Sequence, residues 1–140
     1  EELPLIVMER LVEPVIDIDL LAWKGKVKRV VARRRVNSAV PNDGHILIGD
    51  QTLINLGEKL IDIFQLSWLY DCDVMFDSEG NPCVLELNPR QSGSLAVSIA
   101  AGVPMLDDLV SLAKGESILD IELPINRKVV PYKSLAMINK

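Results

Sequence analysis

The chain has 140 residues, 49% apolar, 25% charged and 4% aromatic, with 15 Lys+Arg against 20 Asp+Glu and a formal net charge of -5. That composition fits one soluble domain, and at this length roughly 68% of the unfolded chain's surface can be buried without disulfide staples. Cys72 and Cys83 are the only cysteines and lack CxxC spacing, which excludes a disulfide scaffold and a structural zinc site. No apolar run approaches the ~18 residues of a membrane span and no signal peptide is legible, so a cytoplasmic location is expected. A pI near 4.9 argues against a general nucleic-acid binder but leaves nucleotide anions open, through local Arg, Lys or a bridging metal.

In chain order, residues 3–12 (LPLIVMERLV) are apolar and β-branched, bounded by Pro4 and Pro14, and predict a strand. The first residue is Glu1 rather than Met and this strand starts almost at once, so a piece of a larger protein is expected. Runs 15–23 and 26–36 flank Lys24-Gly25 and predict a hairpin, with Asp17 and Asp19 on one face and Ile16, Ile18 and Leu20 on the other. Residues 37–49 collect Pro, Asn, Asp and Gly and read as a loop. Asp50 caps a predicted helix through about residue 67, with Leu53, Ile54, Leu60, Ile61 and Phe64 on its core side. Strands 71–77 and 82–88 surround the turn SEGN. Ser92 or Ser94 then opens a small-residue helix ending at Gly102, and Pro104 opens another ending at Gly115. Residues 116–140, with Pro124 and Pro131, read as a partly extended tail. The order βββ, α, ββ, α, α predicts an α+β fold, an antiparallel sheet with helices packed on one face.

With SEGN as a four-residue turn, one face of the second hairpin pairs Phe76 with Cys83, Val74 with Leu85 and Cys72 with Leu87. The other pairs Met75 with Val84, Asp73 with Glu86 and Asp71 with Asn88. Opposed carboxylates lie about 5 Å apart at Cβ and repel by about 3 kcal/mol at an effective dielectric near 20. Protonation, splaying into water or a cation between them relieves this. The oxygen ligands Asp73, Glu86 and Asn88 suit Mg²⁺ or Mn²⁺. Taken alone, the pattern also fits a solvated acidic hairpin face.

The string VLELNPR (84–90), then QSGS, a small-residue helix and AAGVPMLDDLVSLAKGES, resembles the carboxyl-terminal half of the ATP-grasp fold. Within that superfamily it looks most like the large chain of carbamoyl-phosphate synthase and related ligases, over roughly residues 5–115. The resemblance implies Asp73, Glu86 and Asn88 as ligands of the magnesium ions of ATP and Arg90 as the clamp on the transferring phosphoryl group. It also implies that IVMERLV (6–12) is the adenine hinge, with backbone groups of Arg10, Leu11 and Val12 at the adenine edge. Glu9 or Glu13 would contact adenine or ribose, and Met75 would form the apolar floor under the purine. Residues 6–12 also fit an ordinary core strand, Met75 plain core packing and Arg90 a helix-adjacent surface salt bridge. Arg33 and Arg35 share a strand face opposite Arg34. They fit either contacts to substrate or phosphate oxygens or a solvated edge strand. His45, the only histidine, reads as a surface loop residue and is left out of the site, while Gly93 allows a turn near the phosphates.

The eight glycines form neither GxGxxG nor GxxxxGK[ST], and no GxSxG supports a hydrolase. In the family the resemblance points to, a jaw bearing phosphate-binding lysines and a further domain precede the matched segment, so these 140 residues alone are expected to be a partial ATP-grasp domain and inactive. The implied chemistry is an ATP-dependent carboxylate-amine or related ligation through an acyl-phosphate. ATP, a small carboxylate and the missing ATP-grasp subdomains are the implied partners; a homodimer is left open, and neither nucleic acid nor membrane is expected. The alternative is a non-catalytic divalent-cation-binding or interaction module on the same scaffold.

Overall fold

The computed structural model describes residues 5–40 and 43–132. Two long strands, β1 (Val12–Trp23) and β2 (Lys26–Arg35), form the expected hairpin. Lys24 (φ 51°) and Gly25 (φ 73°) both take positive φ, the combination that lets a two-residue turn follow the twist of its strands. β3 (His45–Ile48) joins β2, so the expected loop ends at Gly44 rather than Gly49. Alternation explains the difference, because HILI buries His45 and Leu47 on one side once β2 offers a ladder. Pro41 and Asn42 of that loop lie outside the described residues.

The next element is α1 (Gln51–Phe64), capped by Asp50, whose carboxylate accepts from the backbone N–H of Thr52 at 2.8 Å. Leu53, Leu60 and Ile61 are buried as expected and Ile54 half-buried, but Phe64 is 61% exposed, since the helix's last residue turns off the sheet. β4 (Trp68–Phe76) and β5 (Pro82–Asn88) make the second hairpin. α2 (Leu95–Ala100), α3 (Met105–Ala113) and the two-residue β6 (Lys128–Val129) complete the chain. Residues 133–140 of the predicted tail lie outside the described residues.

The six strands run β5-β4-β1-β2-β3-β6, every neighbouring pair antiparallel, which gives the expected α+β fold. β1 lies between β4 and β2 and is buried on both faces from Val15 to Ala22, Asp17 and Asp19 included. Ile16, Ile18, Leu20, Val30, Cys72 and Val74 pack under α1, whose Gly57 lies so close that a Cβ would sit 2.7 Å from Val30 Cγ1. The opposite face, through Leu21, Val31, Leu47 and Leu69, meets residues of α2 and α3 such as Leu95, Met105 and Leu112. The long helix thus covers one face, and the short helices share the other with polar residues of β1, β2, β4 and β5. Arg29 fastens α3 by donating to Asp108 at 2.9 Å and to the Leu119 carbonyl.

Two further sequence expectations change. Residues 5–11 form no strand: Leu5, Ile6, Val7 and Met8 are 77–95% exposed, with no described strand alongside to pair with them, while Leu3 and Pro4 lie outside the described residues. In the second hairpin the pairs Asp71–Asn88, Cys72–Leu87 and Asp73–Glu86 hold, but nearer the turn Val74 faces Val84, Met75 faces Cys83 and Phe76 faces Pro82. Leu85 is the extra residue of a bulge, tolerated because β5 is an edge strand. Among the described residues no helix is long and apolar enough to cross a membrane.

Candidate metal and phosphate site

Antiparallel pairing aligns polar residues of four strands on the face that α2 borders. Asp17, Asp73 and Glu86 oppose one another across β1, β4 and β5, and Asp19, Asp71 and Asn88 form the row beside them. Arg33 and Arg35 reach in from β2, and Arg90 from the loop after β5. Five carboxylates therefore face three guanidinium groups, leaving two negative charges when all are ionised. A cleft of about 490 Å³ opens over this surface, walled by Asp17, Arg35, Asp71, Asp73, Glu86 and Arg90 together with residues 91–94.

Each acid has a distinct environment. Asp19 is buried, accepting from Arg33 at 2.8 Å and from the Ser98 hydroxyl at 2.5 Å. Asp17 accepts from Arg35 and lies 2.8 Å from His45 Nε2. Burial alone would raise its pKa, but the His45 and Arg35 hydrogen bonds outweigh that and hold the carboxyl far below the usual range. Arg35 also donates to both oxygens of Asp73, at 3.2 and 3.1 Å, and its hydrogen bond to Asp17 fixes its charge more firmly. Burial and then the adjacent Asp17 push Asp73 up to about 6, despite Arg35. Asp71 is likewise raised, by burial first and then by Asp19 and Asp17. One of its oxygens takes Arg90 at 3.3 Å and the other, buried, has no partner. Oxygens of Asp17, Asp71 and Asp73 lie within 4.8 Å of one another, close enough to share an ion.

The structure thus brings Asp73, Glu86, Arg90 and Arg35 to one cleft, with Asn88 donating to Glu86 at 2.7 Å from the same strand. Positive charge against Asp73 comes from Arg35, a relief of the Asp73–Glu86 repulsion that the sequence reading did not consider. Arg33 is wholly buried, donating to Asp19 and to the Ser94 hydroxyl at 2.9 Å, and β2 is an interior strand, so the solvated-edge reading of the two arginines fails. Glu9, Arg10, Leu11, Val12 and Met75 do not line the cleft; Glu9 and Arg10 are exposed and Val12 pairs with Phe76. His45, read as a surface loop residue without an acidic partner, is buried on β3 against Asp17. Sequence reasoning also missed Asp71 and Asp17 as parts of the site. The available signal was alternation: Asp71 shares its strand face with Asp73, and Asp17 lies on the polar face of the first hairpin.

One face of the six-stranded antiparallel sheet thus carries an acidic, arginine-lined cleft. A solved structure, that of L-amino acid ligase from Bacillus licheniformis, shares this fold with a TM-score of 0.59 at 20% identity over 86% of this chain; the match spans 34% of that protein's length. Residues 1–135 match the family described as ATP-grasp in the biosynthetic pathway with Ter operon, and the chain belongs to that family. No curated protein sequence matches it significantly.

Proposed function

We propose that the cleft is the metal- and phosphate-binding half of the active site of an ATP-dependent carboxylate-amine, or related, ligase. The observation that carries this reading is the convergence of Asp73, Glu86 and Arg90 on one cleft with two uncompensated negative charges and an unpartnered oxygen on Asp71. Such an oxygen-rich surplus fits a hard divalent ion, with Asp73, Glu86 and Asn88 as its ligands. Bound Mg²⁺ or Mn²⁺ would neutralise the phosphate charge. In the proposed reaction a substrate carboxylate oxygen attacks the γ-phosphorus of ATP and ADP departs. An amine then attacks the acyl carbon and releases phosphate.

This chain's own residues position and stabilise charge. Arg90, with its side chain 56% exposed and a single ion pair, is free to turn its planar fork onto the transferring phosphoryl group. Arg35 steers Asp73, and the Asp17–His45 pair beneath steers Arg35. Arg33 acts from inside the sheet as a positioning residue for Ser94. Adenine-side roles for Glu9, Arg10, Leu11, Val12 and Met75, and a carbamoyl-phosphate synthase-like subtype, rest on the family resemblance. The test is calorimetric titration of an ATP analogue into the full-length protein with and without Mn²⁺. Glu86→Gln, at an exposed edge position, should lower the Mn²⁺-dependent affinity at least tenfold; equal affinity in both proteins removes the ligand assignment.

A further inference from the structure

Beside the polar cleft lies a second cavity of about 350 Å³, within the ~300–1,000 Å³ usual for small-molecule sites. Val97 and Ala100 of α2 form one wall, and Val129, Val130 and Pro131 the other. The second wall packs directly on Gly44, at φ 119°, where a Cβ would sit 2.8 Å from the Val129 carbonyl oxygen and 2.9 Å from Val130 Cγ1. Gly93 and Ser94 line both cavity and cleft, so the two spaces adjoin at these residues, and a Cβ on Gly93 would meet nothing within 4 Å.

The chemistry of the two spaces is opposite. No Asp, Glu, Lys or Arg lines the cavity among the described residues, and its one titratable member, His45, is engaged by Asp17 through Nε2. The other ring nitrogen is buried without a partner, so the cavity offers a ligand no charged group. A charged group entering it would lose water without gaining a counter-charge, whereas apolar surface gains by leaving water.

Building on the ligase reading of the cleft, we infer that this cavity holds the body of the carboxylate substrate, and that the body is uncharged and mainly apolar. The carboxylate end then lies at the Gly93–Ser94 opening, facing Arg90 and the acidic rows, where phosphoryl transfer is proposed. Selectivity follows from differential burial, in which a single methylene changes specificity by about 10–200-fold.

The test uses the full-length protein loaded with Mn²⁺ and a non-hydrolysable ATP analogue. Titration calorimetry compares 4-methylpentanoate and 3-phenylpropionate with glutarate and 5-aminopentanoate. The apolar-bodied acids should bind at least tenfold tighter than the charged ones. Ala96→Trp, at an exposed α2 position on the cavity wall, should weaken them at least tenfold while leaving the analogue's affinity unchanged, and Ala100→Phe from the same wall should do the same. Charged acids binding as well as the others, no acid binding to the loaded protein, or indifference to both wall variants overturns the inference while leaving the ligase reading in place. Failure of the analogue to bind with Mn²⁺ overturns the ligase reading, and this inference with it.

Discussion

Replacing Asp19 with alanine strands the Arg33 guanidinium, which is 0% exposed and holds Asp19 at 2.8 Å. Arg33 keeps its contacts to the Ser94 carbonyl and hydroxyl, but neither carries charge, and its Nε already lacks a partner. Removing one partner of a buried ion pair costs about 3–5 kcal/mol, because the remaining charge has lost both water and its hydrogen-bonded counter-ion; Asp17 and Asp71 act on Arg33 only at longer range, which favours the lower end. With an unfolding entropy of about 2.1 cal/mol/K per residue, that corresponds to a fall in melting temperature of about 10–17 °C for this chain length. The double variant Asp19→Leu, Arg33→Met removes both charges and should recover most of the loss, since an apolar pair of similar volume avoids the desolvation cost. Urea denaturation of the wild type, Asp19→Leu, Arg33→Met and the double variant closes a double-mutant cycle, with Asp19→Ala measured beside it. A loss below about 1 kcal/mol for Asp19→Ala, or a double variant no better than the sum of the singles, refutes the reasoning. Nucleotide binding should still weaken in the double variant, because Ser94 loses its hold at the mouth of the cleft.

Gly57→Ala should destabilise the fold by about 1–3 kcal/mol in thermal melts, because the new methyl overlaps the side chains of Val30 and Leu20, at 2.7 and 2.9 Å from its position. The raised pKa of Asp73 predicts a specific pH slope. The native state retains this proton up to about pH 6 whereas an ordinary Asp loses it near 3.8, so Asp73 contributes stability at low pH that declines as pH rises between those values. Asp17, with its lowered pKa, acts in the opposite sense at lower pH: its contribution is full above 3.8 and fades as acid protonates it. Urea midpoints across pH 3–8 should show the Asp73 decline flattened in Asp73→Asn, and unchanged slopes in that variant contradict the assignment. Ellman's reagent on the native protein should label Cys83 well before Cys72, which is buried with its thiol pushed up to about 12 by burial and the neighbouring acids. Equal labelling rates would mean that β4 opens more readily than its packing implies.

Local signals carried far in this sequence. Lys24-Gly25, the Asp50 cap and the Pro104 start each act over a few residues, and the structure has a turn or helix end at each. The opposition of Asp73 and Glu86 was legible because side chains alternate along a strand. The bulge at Leu85 was not, since nothing in the residues themselves says which of two paired strands carries an extra one. Residues 5–11 mislead for a related reason: their β-branched, apolar character is real, but a strand forms only where another strand supplies hydrogen bonds.

The sequence by itself determined which residues could share a face and where most elements begin and end, because parity and capping are properties of neighbouring residues. Only the tertiary structure decided that β1 lies between β2 and β4. That placement sets Asp17 against Asp73, gives Arg35 two carboxylates to hold and buries His45 beside them. Strand order depends on contacts between segments far apart along the chain, and charges opposed across a sheet interact only after those contacts have formed.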